Sequence, residues 1–161
     1  MTAESSRPQR LRRLETIFVR SPIYFVTACT SRRRKMLATP AIQQSFVKFA
    51  KEGPKHGAWI GSYVLMPDHL HLFVAVDDER LMLAEWTKSL KNALSKTLRS
   101  EKVSPPHFQK GFFDHLLRSA ESYSAKWNYV RDNPVRAGLV KSWEDWPFHG
   151  DVFALEYRGE D

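Results

Sequence analysis

The stretch Tyr63-Val-Leu-Met-Pro-Asp-His-Leu-His-Leu-Phe73 decides how the chain is read. Pro67-Asp68 separates two apolar runs, Trp59 to Met66 and His69 to Val76, and a tight turn at that dipeptide makes them the arms of a β-hairpin. Side chains alternate faces along a strand, so His69 and His71 project from one face while Leu70, Leu72 and Val74 project from the other. One strand thus offers a metal-binding edge and keeps its core. Taken alone, a His-hydrophobic-His pair suits a hydrogen-bonded structural role as well as it suits a ligand pair. Asp68 reads as a turn residue.

Working outward, Ile23 to Cys29 is an apolar strand, and the pattern Ile42, Phe46, Val47, Ala50 predicts a helix from about Pro40 to Glu52, closed by Gly53-Pro54. After the hairpin comes a helix from about Arg80 to Arg99. Its apolar face is Leu83, Trp86, Leu90, Ala93 or Leu94, and Thr97; Lys88, Lys91, Ser95 and Arg99 recur on another side. A Pro-rich loop, Val103 to His107, leads to a short edge strand from Gly111 to Leu117, with His115 near its middle. Ser119 is an N-cap for a last helix, on which Tyr123, Trp127 and Val130 share one face. Ser122, Lys126, Tyr129 and Asn133 follow one another on the neighbouring face, and Pro134 places the helix end at Asn133.

Strand, helix, strand, strand, helix, strand and an extra helix give an α+β fold. The arrangement is the ferredoxin-like βαββαβ, an antiparallel sheet with helices on one face plus a C-terminal helix. A single domain accounts for residues 1–161, with 1–20 as a basic N-terminal arm and 147–161 as a C-terminal tail held by Trp143 and Trp146.

Lys and Arg outnumber Asp and Glu by 25 to 18, a net charge of +7, which favours an anionic partner. No apolar run nears the roughly 20 residues that span a bilayer, and the Arg-rich start lacks the apolar core of a signal peptide. The expectation is a cytoplasmic, nucleoid-associated protein with no membrane partner. Cys29 is the only cysteine, so no disulfide and no thiolate zinc cluster forms within one chain; it packs as a small hydrophobe.

Met66-Pro-Asp-His-Leu-His-Leu72, followed far downstream by Tyr129-Val-Arg-Asp-Asn-Pro-Val-Arg-Ala-Gly-Leu-Val140, resembles the REP-associated tyrosine transposases, relatives of the single-strand HUH transposases. The resemblance covers roughly Ile23 to Trp146. It implies that His69 and His71 are ligands of one divalent metal, Mg²⁺ or Mn²⁺, with Asn133 as the third. It also implies that Tyr129 is the nucleophile, and that the reaction is cleavage and rejoining of single-stranded or hairpin DNA through a 5′-phosphotyrosine. A free tyrosine, with a pKa near ~10, needs help to ionise. The metal and Lys126, a turn before Tyr129, are the candidates for that help; His115 either supports the site or caps its strand.

DNA phosphates would meet the basic clusters Arg10, Arg12 and Arg13, and Arg32, Arg33, Arg34 and Lys35, together with Lys88, Lys91 and Arg99. Members of this superfamily work as monomers or as homodimers that exchange the tyrosine helix, and the sequence leaves both open. A catalytically silent hairpin-binding protein on the same fold is the alternative; the presence of both histidines, the tyrosine and the asparagine favours the enzyme.

Overall fold

The computed structural model describes residues 16–19 and 23–157, and within them each element expected from the sequence is present. Strand β1 is Thr16–Val19 and β2 is Ile23–Cys29. Helix α1, Pro40–Glu52, starts where the Thr39 hydroxyl accepts from the Ile42 backbone N–H at 3.2 Å, with Pro40 in the first turn, where its missing donor is harmless. Ile42, Phe46 and Ala50, four apart, are its buried stripe. A single turn at Gly53–His56 ends it, and Gly57, at φ +89, reverses the chain into β3, Ala58–Leu65.

Strand β4, His69–Val76, returns antiparallel to β3 with Leu65 opposite Leu70 and Val64 opposite His71. Helix α2, Leu83–Ser100, buries Trp86, Thr87, Leu90, Leu94 and Leu98; Leu98 takes the core position expected of Thr97. Strand β5, Phe113–Leu117, lies on the sheet edge as expected, and the strand order β5-β2-β4-β3 is that of a ferredoxin-like sheet.

Both faces of this sheet are covered. Helices α1 and α2 pack on the face carrying Val26, Ala28, Leu70, Leu72 and Val74. Helix α3, Ala120–Val130, is capped by Ser119, whose hydroxyl accepts from the Ser122 N–H at 3.0 Å, and packs on the opposite face with Ile23, Phe25 and Phe73. That face is the one the two histidines share. The segment read as a tail joins the fold instead: β6, His149–Asp151, adds a fifth strand beside β3, and β7, Ala154–Tyr157, pairs in parallel with β1. Trp146 anchors it as expected, its indole N–H donating to the Leu65 carbonyl at 3.0 Å. Among the described residues no helix is long and apolar enough to cross a membrane.

Candidate active site

The histidine pair sits where β4 begins, flanked by β2, which brings Cys29 opposite His69 and Thr27 opposite His71. Each imidazole is held through Nδ1. His71 Nδ1 lies 2.7 Å from the Thr27 hydroxyl, and His69 Nδ1 lies 2.8 Å from Asp68 Oδ1. Arg33 Nε donates to Asp68 Oδ2 at 3.0 Å, and its Nη2 comes within 3.2 Å of His69 Nδ1. That ring nitrogen cannot donate to Asp68 and accept from Arg33 at once, so the shorter, charge-assisted contact with the carboxylate sets the tautomer. Burial works against the Asp68 charge, but the hydrogen bonds from His69 and Arg33 outweigh it and hold the carboxyl below its usual range.

Asp68 accepts from His69 Nδ1–H and so leaves the His69 Nε2 lone pair available, while the Thr27 hydroxyl, able to donate or accept, holds the His71 ring by Nδ1 with Nε2 on its other side, the orientation metal-ligating histidines adopt. The rings stand edge to face, 4.8 Å between centroids, and Phe25 stacks on His71 at 5.2 Å. Burial, reinforced by the neighbouring His69 and by the positive charges of Lys126, Arg136 and Arg33, pushes the His71 imidazole down from 6.5 to about 3. It is therefore uncharged at neutral pH, with its lone pair in hand.

Helix α3 is laid across this face by aromatic contacts. The Tyr123 ring is 4.4 Å from Phe73, Trp127 meets Phe73 edge-on at 6.1 Å, and the Lys126 ammonium lies 4.8 Å above the Phe25 ring. The Tyr123 hydroxyl accepts from the Ser62 N–H and donates to the Ser62 hydroxyl, each at 3.0 Å. Burial raises the Tyr123 phenol to about 12, which suits an anchor and not a nucleophile. Tyr129, two residues and about 200° round the helix from Trp127, faces outward and is 63% exposed.

Asn133 departs from expectation. Helix α3 stops at Val130, and Asn133 opens a separate four-residue turn, α4, Asn133–Arg136. The cause is Pro134: it has no N–H for the Val130 carbonyl and crowds an α-helical residue before it, but it fits the first turn of a new helix. Asn133 is thus not one turn beyond Tyr129 on a continuous helix. The two are joined by Arg136, whose guanidinium lies 4.0 Å from the Tyr129 ring centroid and donates to Asn133 Oδ1 at 2.7 Å.

The basic residues separate into groups. Arg32, Lys35, Lys88 and Arg99 are exposed, but Lys88 and Arg99 ride on α2, across the sheet from the histidines. Arg34 donates to the Ser104 and Pro106 carbonyls, and Lys91 to those of Gln109 and Gly111. These two side chains hold loops, and burial lowers the Lys91 ammonium below its usual range. Arg34 and Lys91, expected to contact DNA phosphates, thus each already have backbone carbonyl partners. Arg10, Arg12 and Arg13 lie outside the described residues. His115 is exposed and opposite Phe25, hence on the histidine face. Among the described residues no hydrogen bond links Lys126 to Tyr129, and no three His, Cys, Asp or Glu side chains are grouped to hold a metal.

Thr27, the orienting part of Asp68, and Arg136 were not read from the sequence as site residues. Arg136 left a signal in its spacing, three residues past Asn133 in a helical turn. Thr27 left none, because it reaches His71 only through strand pairing.

A five-stranded sheet of ferredoxin-like order, a histidine pair held at Nδ1 and a tyrosine helix across the same face define a transposase-type domain. The chain belongs to the family described as transposase IS200-like, which its residues 19–132 match. A REP-associated tyrosine transposase of Escherichia coli K12 is 25% identical over 154 residues, covering 89% of this chain and 88% of that protein. A Haemophilus influenzae protein provisionally given the same name is 25% identical over 153 residues, 87% of each. A solved structure of a REP-associated tyrosine transposase bound to a REP hairpin shares the fold with a TM-score of 0.62, at 22% identity over 83% of this chain and 78% of that one.

Proposed function

We propose that the chain cleaves and rejoins single-stranded DNA beside hairpins by transesterification at Tyr129. The observation that carries the reading is the pair of imidazoles on the face that α3 crosses, each held at Nδ1, by Asp68 and by Thr27, so that its Nε2 edge is left for a ligand. Two imidazoles and an amide oxygen form a mixed donor set that suits Mn²⁺ or a hydrated Mg²⁺. His69 and His71 would hold such an ion through Nε2, and Asn133 would join them once its oxygen exchanges Arg136 for the metal. When bound, a divalent ion supplies positive charge at the scissile phosphate.

The Tyr129 oxygen attacks phosphorus, a P–O bond to tyrosine forms, and the bond to the 3′ oxygen breaks. The phenolic proton is lost and the departing 3′ oxygen gains one, so a 5′-phosphotyrosine and a 3′-hydroxyl result. Because the phosphodiester energy is retained in the adduct, a second 3′-hydroxyl can reverse the step and join strands. Lys126 and Arg136 place cationic charge on this face, where it favours both phosphate and phenolate. Contacts of Tyr123 with Ser62 and of Trp127 with Phe73 support a tyrosine helix acting on its own chain's sheet, whether the protein is a monomer or a homodimer. The hairpin-bound relative supports a hairpin as the partner.

A non-catalytic hairpin-binding protein is the second reading, favoured by the Arg136 hydrogen bond that occupies Asn133. One experiment separates the two. With a labelled single-stranded palindrome from beside its own gene and Mn²⁺, the protein should form a denaturant-resistant adduct that Tyr129→Phe abolishes while binding persists. Binding without an adduct under any divalent metal makes the second reading the correct one; DNA cleavage surviving Tyr129→Phe means that water, and not tyrosine, attacks.

A further inference from the structure

The histidine face of the sheet is not fully roofed by α3. Its outer margin is β5, and there Phe113 is 70% exposed, the most open of the large apolar side chains among the described residues. Phe112, just before the strand, is half-buried and packs against the main core, while its neighbour Phe113 is left bare. Register fixes which way the bare ring faces. Phe113 is opposite Thr27, and Thr27 is opposite His71, so the three share one face in a single row across β5, β2 and β4. At about 4.8 Å between strands, Phe113 stands roughly 10 Å from His71. His115, also exposed, follows two residues on, on the same face and about 7 Å further along the strand.

We infer that Phe113, with His115 beside it, is a stacking platform for the bases of the single strand next to the scissile phosphate. Three things on this face select that occupant. The platform is continuous with the site through Thr27, whose hydroxyl holds His71. Its inner border is cationic, since Lys126 lies over Phe25, the residue opposite His115. The two ring-bearing positions, about 7 Å apart, match the step of an extended strand, so successive bases can lie on successive rings while the backbone runs toward the histidines. Aromatic residues at alternate positions of a ferredoxin-like sheet are a general way of holding splayed bases, because every base offers a π face. A duplex cannot use such a strip, since its bases are already stacked and paired.

This inference rests on the proposed action on single-stranded DNA, and its test separates the two. Binding of labelled hairpins is measured for the full-length protein, with and without a single-stranded extension. Phe113→Ala is expected to weaken binding of the extended hairpin about 5- to 100-fold, the range that loss of one stacked base implies, and to leave the blunt hairpin unchanged. Phe113→Trp should restore it. An abasic nucleotide in the extension should cost the native protein about as much, and cost Phe113→Ala nothing more. Equal affinity of Phe113→Ala and the native protein for the extended hairpin overturns the platform and leaves the wider reading standing. If the native protein binds extended and blunt hairpins equally, the platform falls, and the wider reading is decided by the Tyr129 adduct alone. If Phe113→Ala alters sedimentation of the free protein and not DNA binding, the ring serves contact between copies of this chain and the platform is wrong.

Discussion

His71 shows at residue scale how the site is made, because its chemistry is set by neighbours from other strands and helices. Thr27 holds its ring at Nδ1, and burial, with His69 and the cationic Lys126, Arg136 and Arg33 nearby, keeps it uncharged. The folded imidazole titrates at about 3 and the unfolded one near 6.5, so between those values the unfolded chain binds the extra proton. Stability must then be fully present above pH 6.5 and fall as the pH is lowered through that window. Urea unfolding midpoints measured from pH 7.5 to 4.5 should drop more steeply for the native protein than for His71→Gln; parallel slopes would mean that His71 is charged in the fold. The shared strand face of the histidine pair and the helix bearing Tyr129 were legible in local patterns, while the roles expected of them came from the family resemblance. Arg136 bridging Tyr129 and Asn133 was not legible, because that contact depends on where one helix ends and the next begins.

Helix α3 is the element on which the proposed chemistry depends, and it is seated at a break in the sheet. The pairing of β3 with β4 shifts register between Ile60 and Tyr63, freeing the Ser62 N–H to meet the Tyr123 hydroxyl. Gly61 makes room for that contact: a Cβ there would lie 2.6 Å from the Tyr123 hydroxyl and 2.9 Å from Leu155 Cδ1. Gly61→Ala should therefore push α3 and β7 outward, destabilise the protein by about 1–3 kcal/mol, and lower adduct yield with it. Denaturant unfolding and the gel assay for the adduct measure the two; unchanged stability would show that Tyr123 yields at no cost. The extent of α3 was only partly legible. Its Ser119 cap and the Tyr123, Trp127, Val130 stripe are local signals, whereas stopping at Val130 and restarting at Asn133 is Pro134's compromise between two helices.

For the whole molecule, a net charge of +7 reports an affinity for anions but not where the charge is used. The fold spends Arg34 and Lys91 on loop carbonyls and sends Lys88 to the far side of the sheet, while Arg32 stays exposed in the Ser31–Arg33 turn, next in sequence to the Arg33 that reaches Asp68 and His69. Affinity for single-stranded DNA should fall steeply with salt, and Arg32→Gln should reduce the log–log slope by about 0.7, one phosphate contact. Lys88→Gln should leave it unchanged; a matching reduction would put DNA on the helical face. The sequence alone determined which residues share a strand face, that two histidines share one of them, and that a tyrosine helix follows, because periodicity and capping are written in neighbouring residues. Tertiary structure alone decided that α3 roofs the histidine face, that Thr27 and Arg136 belong to the site, and that 149–151 is a strand. His149-Gly-Asp151 has no strand pattern of its own; it is extended because the free edge of β3 supplies the hydrogen bonds it needs.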